Sequence, residues 1–402
     1  MASRLSGRVA AVTAAAAVAA LAGALALVAA GGDGPNSPAA GPAPSTAPTT
    51  PVAQPQTHAV AAVKPRPLRA GESRMTLRMP RPYQPSAPNG VGTDDYRCFL
   101  LDPHLAQSRY LTGTFVEPDN RNVVHHVILF RADPTQVSAA ERLDAQDPGE
   151  GWTCFGDSGL PSSNDLDNAP WLGAWAPGGQ ESVDAPGYGV PLPAGSRIIM
   201  QVHYNLLAGT GPDRSAALLR LASPSAHLTP LETMLLPAPV ELPCRPGHTD
   251  NALCDRTTSI ADVVHRFGPV GQTNNWLNVL CGEQRDTEVT TCTRTVREPT
   301  TIRAVAGHMH LLGRSIRIQV DPGTPRTRTI LDIPVWDFDN QTARPIKPVT
   351  LQPGETVKVT CKHVQWLRDQ LPAFHGQPDR YVVWGEGTTD EMCLGILVVT
   401  HP

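Results

Sequence analysis

Three things are scarce in this chain of 402 residues: aromatic side chains at 5%, charged side chains at 17%, and any long stretch of sustained amphipathic helical spacing. The last shortage argues against a helix bundle, because a surface helix needs apolar residues recurring every three to four positions. A basic excess is also missing. The 33 Lys and Arg are outnumbered by 37 Asp and Glu, for a net charge of -4, so there is no electrostatic footprint for nucleic acid. None of the eight cysteines forms a C-x-x-C pair, which disfavours a zinc ribbon or a thioredoxin-type redox site.

What the chain has instead is turn formers, 41 Pro and 34 Gly, between short apolar and β-branched runs. This pattern predicts an all-β protein. The length exceeds one ordinary domain, so two are expected once the N-terminal region is set aside.

That region reads in two parts. Arg4 and Arg8 precede an apolar, alanine-rich run from Val9 to Ala30, so residues 1–30 are expected to be an export signal. The run is also long enough for a retained membrane anchor, while Ala29-Ala30-Gly31 suits a cleavage site. Residues 31–71 are mostly Pro, Ala, Ser and Thr, which bury too little apolar surface to offset chain entropy and predict a disordered linker. Such a chain is expected to be exported, either secreted or anchored at the cell surface. In that oxidising setting the cysteines should pair, although arithmetic alone allows about 105 arrangements. Those at 244, 254, 281 and 292 lie in a loop-rich segment expected to be stapled internally.

The histidines carry the chemistry. Gly307-His308-Met309-His310 sets two imidazoles two residues apart in an apolar run. On a strand they share a face and could both reach one metal ion, with a third ligand from elsewhere. A second apolar run, Val123 to Phe130, carries the adjacent pair His125-His126. Strand neighbours point to opposite faces, so that pair can serve one ion only if a bulge or strong twist re-aims one of them. In a third strand, Ile198 to Asn205, His203 shares a face with Gln201. Taken singly, each of these is ordinarily a packed or solvated histidine.

Five pieces in order, Asp95-Tyr96-Arg97-Cys98, Val124-His125-His126, Gln201-Val202-His203-Tyr204, His308-Met309-His310-Leu311-Leu312-Gly313 and Asp390-Glu391-Met392-Cys393, give a more specific signal. Together they resemble the type II copper, ascorbate-dependent monooxygenases, the family of peptidylglycine alpha-hydroxylating monooxygenase and dopamine beta-monooxygenase. The resemblance implies two jelly-roll-like β-sandwich domains facing each other across a cleft, here residues 72–224 and 225–402. It further implies two coppers per chain: an electron-supplying one on His125, His126 and His203, and one where oxygen reacts on His308, His310 and Met392. Cys98 would pair with Cys154 and Cys361 with Cys393. A soft thioether beside imidazoles favours Cu(I). The implied activity is hydroxylation of a C-H bond by dioxygen, with ascorbate or a similar reductant.

The chain departs from the peptide-amidating members where they clamp a carboxylate. An arginine, an asparagine and a tyrosine of those enzymes fall here on Ala306, Leu394 and Ile396, which offer neither charge nor donor. A smaller apolar or aromatic substrate is expected. The rival readings are a non-catalytic, exported copper-binding or copper-handling protein, and more remotely a zinc-dependent hydrolase on a β-sandwich. Met392 is a poor zinc ligand, which disfavours the latter. Nothing in the residues sets an oligomeric state.

Overall fold

The computed structural model describes residues 65–87, 92–161, 165–177 and 179–401, all within the compact unit Pro55–Pro402. The expected signal or anchor at 1–30 and most of the expected linker lie outside the described residues. No helix among the described residues is long and apolar enough to cross a membrane. The chain is all-β in its main elements, as its composition predicts, with few helices.

In chain order come β1 (Ser73–Arg78), β2 (Asp94–Leu101), β3 (Arg109–Glu117), β4 (Val124–Ala132), α1 (Val137–Asp144), β5 (Trp152–Thr153) and β6 (Trp171–Trp175). They are followed by β7 (Ser182–Val183), β8 (Tyr188–Leu192), β9 (Arg197–Asn205), β10 (Ala216–Leu221) and β11 (Thr229–Pro230). One sheet runs β1-β10-β3-β8-β11, with β7 beside β3, and the other runs β5-β2-β9-β4-β6. Their inner faces share one core that includes Leu77, Phe99, Leu111, Leu129, Met200 and Leu219. Burying each such side chain contributes roughly 1.5–3 kcal/mol, which locks the register that presents the site. Residues just ahead of β1 are tied to the sheet: Pro67 O accepts from Arg220 Nη2 at 2.8 Å, and Arg69 N donates to Glu72.

Past β11 the chain enters a second pair of sheets: β12 (Glu232–Pro237), β13 (Glu241–Leu242), α2 (Arg256–Phe267), α3 (Thr273–Cys281), β14 (Val289–Thr295), β15 (Thr300–His308) and β16 (Gly313–Val320). Then come β17 (Arg328–Ile333), β18 (Arg344–Leu351), β19 (Thr356–His363), β20 (Val382–Val383) and β21 (Leu394–Thr400). The sheets run β12-β21-β15-β18 and β14-β19-β16-β17, with β13 and β20 forming a short ribbon. Ile302, Val305, Ile318, Val359 and Leu397 belong to the core they share.

All eight cysteines are paired: Cys98 with Cys154, Cys244 with Cys254, Cys281 with Cys292, and Cys361 with Cys393. The first and last pairs are those the family resemblance implies. The middle two close the 244–292 segment on itself, as expected, but that segment is not loop-rich. It holds α2 and α3, because Asp255 caps α2 by accepting from Thr258 N at 2.8 Å while Ile260, Val263 and Phe267 share its buried stripe.

Candidate metal sites and the cavity between them

The first cluster follows from strand register. His203 lies on β9 at the middle of its sheet, opposite Tyr96 of β2 on one side and His126 of β4 on the other. Tyr96 stacks on the His203 ring at 4.1 Å. The β4–β9 register shifts between Val124 and His126, so His125 sits at the irregularity that adjacent ligands require. Its effect is to turn both rings inward. Nδ1 of His125 lies 3.1 Å from that of His126 and 3.3 Å from that of His203, and the last two are 3.2 Å apart.

These distances test whether a metal fits. A triangle with those sides has a circumradius of about 1.85 Å, so all three nitrogens could reach one ion at the usual distance of about 2.0 Å. The tautomers agree. His203 Nε2 faces Asp94 Oδ1 at 2.8 Å, which places the proton on Nε2 and leaves the Nδ1 lone pair for the ion. Burial, reinforced by the neighbouring imidazoles, pushes His125 and His126 well below the usual histidine range, so both are neutral at pH 7. Three converging imidazole nitrogens repel one another unless a proton or cation lies between them. The donor set suits copper or zinc.

The second set is assembled differently from the strand expectation. β15 ends at His308, and His310 lies past it in the turn toward Gly313. What holds His310 is Glu391, a fully buried carboxylate that accepts from the backbone N-H of His310 at 3.0 Å, of Met392 at 3.2 Å and of Leu312. Nε2 of His363 completes its shell at 3.2 Å. One side chain thus ties the His-x-His turn to the segment bearing Met392. Gly313 permits the tight return, since a Cβ there would lie 2.9 Å from Met309 Cβ and 3.0 Å from His310 O. The His308 and His310 ring centroids are 5.2 Å apart.

His308 Nδ1 faces Gln341 Oε1 at 2.5 Å, and Gln341 Nε2 donates to Phe338 O at 2.7 Å. The amide is therefore oriented, and His308 keeps Nε2 for a metal. Burial pushes His308 down to about 3 and also lowers His310. His310 Nδ1 is buried without a partner, as an unused ligand nitrogen would be. The two clusters are neighbours. His126 and His308 have ring centroids 6.0 Å apart, and Phe338 stacks on His125 at 4.7 Å.

A cavity of about 530 Å³ borders both clusters, with His126, His308, His310 and Met392 in its wall. Leu394, one of the three positions lacking the carboxylate clamp, lines it too, whereas Ala306 pairs with Ile396 in the sheet behind. The supporting residues Asp94 and Gln341 are not singled out by the sequence, and Glu391 enters there only within the piece Asp390-Glu391-Met392-Cys393, with no role of its own. Their only signal is an ionisable or amide side chain beside apolar residues, which says that a partner exists without naming it.

No protein-family model matches the chain, and no curated protein does. Among solved structures the likenesses are slight. A Paenibacillus xanthan lyase matches at 12% identity over 78% of this chain and 23% of that one, with a TM-score of 0.19. An allantoicase matches at 11% over 66% and 74%, with 0.16. The infectious bursal disease virus VP2 subviral particle matches at 9% over 85% and 74%, with 0.20. The chain spans less than a quarter of the xanthan lyase, and TM-scores this low carry no argument about fold or function.

Proposed function

We propose that the protein is an exported copper monooxygenase that hydroxylates a C-H bond of a small organic substrate with dioxygen and ascorbate or a similar reductant. Its two β-sandwiches are read as jelly rolls facing across a cleft. The observation that carries this reading is that one cavity of substrate size is bordered both by His126 of the first cluster and by His308, His310 and Met392 of the second.

Copper, when bound, would supply one-electron chemistry at each cluster and dioxygen reduction at the thioether-bearing one. The chain's own residues do the rest. Asp94 and Gln341 hold the His203 and His308 tautomers, so that the lone pairs point inward. Glu391 fixes the spacing between His310 and Met392. The apolar wall excludes water and orients the substrate carbon. Ala306, Leu394 and Ile396 offer no grip on a peptide carboxylate, which supports a small apolar or aromatic substrate. The four disulfides fit an oxidising, exported setting.

Metal analysis with EPR tests the proposal. Purified protein should take up about two type II coppers per chain, and Met392→Ala should lose one selectively. Ascorbate-driven oxygen consumption should rise with substrate and vanish in His308→Ala. Copper uptake without turnover would favour a copper-handling protein, and a single tightly held zinc would refute the copper reading.

A further inference from the structure

The cavity's wall carries more information than its metal-facing end. Among the described residues, three tryptophans, Trp171, Trp276 and Trp384, line it, and no lysine or arginine does. The charged-type side chains among the described residues lining it, besides the histidines, are two carboxyls, Asp157 and Glu386. Away from the histidine end, an anion would therefore meet a low-dielectric wall with no basic side chain to pair it.

One wall is the helical insert formed by α2 and α3. Pro269, Val270 and Trp276 reach the cavity from it. Cys244–Cys254 lies at one end of the insert and Cys281–Cys292 at the other. Its footing is Glu241, a fully buried carboxylate that accepts from both Arg256 Nε and Nη2, from Asn274 and Asn278 Nδ2 at 2.8 and 2.7 Å, and from Tyr381 Oη at 2.7 Å. Asn274 Oδ1 in turn accepts from Val240 N and Trp384 N. The backbone of α3 is held firmly, yet Trp276 on it is 49% exposed, so this indole stands where the cavity meets solvent.

Glu386 is the other determinant. It is 3% exposed, and its Oε1 packs so close to Gly156 that a Cβ there would approach it at 3.0 Å. Burial pushes its carboxyl up to about 8, with Asp157 and Asp390 adding to the effect against a hydrogen bond to Trp384 that lowers it. At pH 7 the group is mainly an uncharged acid, able to donate one hydrogen bond and accept another.

Resting on the reading of this cavity as the substrate site, we propose that it selects a neutral, largely apolar aromatic molecule bearing one hydroxyl or carbonyl, oriented by Glu386 and covered by Trp276. Glu386 meets the polar end, and the indoles take the ring by offset or edge contact.

Three probes that share one ring system test this at pH 7 on the full chain by tryptophan fluorescence and calorimetry: 2-naphthylmethanol, 2-naphthylmethylamine and 2-naphthoate. The alcohol should bind at least about 10-fold more tightly than the naphthoate and more tightly than the amine, a 10-fold ratio being about 1.4 kcal/mol. Trp276→Ala should weaken the alcohol by about 10-fold, with the thermal midpoint within a few degrees because the residue is half exposed. Glu386→Leu, which removes the polar partner and keeps the bulk, should weaken the alcohol by about 10-fold, and binding within about 2-fold of wild type overturns the proposal. Tightest binding of the amine or the naphthoate overturns the proposal, as does alcohol binding indifferent to Trp276→Ala. Copper content measured on the same samples separates the two readings. Copper loading without alcohol binding sinks this inference alone, while alcohol binding without copper uptake sinks the monooxygenase reading and leaves the cavity's preference standing.

Discussion

Asp94 and Thr388 join the two pairs of sheets through a single carboxylate: Thr388 Oγ1 donates to Asp94 Oδ1 at 2.6 Å, and Thr388 N donates to Oδ2 at 3.1 Å. The same Oδ1 faces His203 Nε2, and Thr388 is four residues before Met392. The group that sets the tautomer in one cluster is thereby held by the segment that carries Met392, the ligand proposed for the other. Tyr96 Oη, donating to Glu386 O at 2.6 Å, reinforces the join.

Replacing Asp94 by Asn tests that relation. An amide keeps the shape but turns one of two acceptor oxygens into a donor, so either His203 or Thr388 loses its acceptor. Metal affinity at the His125, His126, His203 cluster should fall by roughly 10–100-fold, as for other residues that orient ligating histidines. Competitive metal titration with EPR would read it, and unchanged affinity would mean that His203 is oriented by Tyr96 stacking alone.

Gln341 has the corresponding role for His308. Gln341→Leu removes the acceptor at Nδ1 and frees the ring to adopt the other tautomer. The expected outcome is at least a 10-fold loss of metal affinity at the second site, with the first site preserved. A spectrum in which both signals persist at wild-type occupancy would count against the assignment.

Glu391→Ala should be the costliest of these changes. It strands the backbone N-H groups of His310, Leu312 and Met392 in a dry interior. Each buried donor left unpaired costs about 1–3 kcal/mol, so a loss of at least about 3 kcal/mol in unfolding free energy is expected. Chemical denaturation measures it. A loss under about 1 kcal/mol would show that water or another acceptor reaches those groups.

Much of the framework can be read from residues alone. The apolar runs from Val123 to Phe130 and from Ile198 to Asn205 form β4 and β9, and the bulge demanded by His125-His126 is present because adjacent strand side chains cannot otherwise converge. The His308-x-His310 pair was less transparent. Its spacing suits a strand, but the strand stops at His308 because Glu391, 81 residues away, claims the next backbone donor. Asp94 and Thr388 are 294 apart and His308 and Gln341 33 apart. Partners at such separations are chosen by tertiary packing, which local pattern does not encode. The helices at 256–281 were missed for another reason. Asp255 and Gly268 are ordinary cap residues for α2, but two flanking cysteines and Pro269 gave the segment a loop-like composition.

The depressed histidines also fix how the metal-free protein responds to acid. In the unfolded chain each histidine takes up a proton near pH 6.5. Folded, His308 does so only near pH 3, because burial and the adjacent His310 disfavour its cation, and His125, His126 and His310 are lowered as well. Between those limits the unfolded state binds more protons, so stability rises with pH. Their contribution is complete above about pH 6.5 and is lost as pH falls toward the folded values, with a limiting slope of about 1.4 kcal/mol per group per pH unit. Glu386 acts in the opposite sense. Its folded value near 8 means that the folded state holds the extra proton, so its contribution declines as pH rises from about 4.5 to 8. The histidine part is isolated by comparison with His308→Gln. Metal-free wild-type protein should lose more thermal stability between pH 7 and pH 5 than the variant does, and loading with copper should shrink that loss, because the ion competes with protons for the same nitrogens. Equal acid sensitivity in the wild type and the variant would show that His308 is protonated as readily in the folded protein as in water.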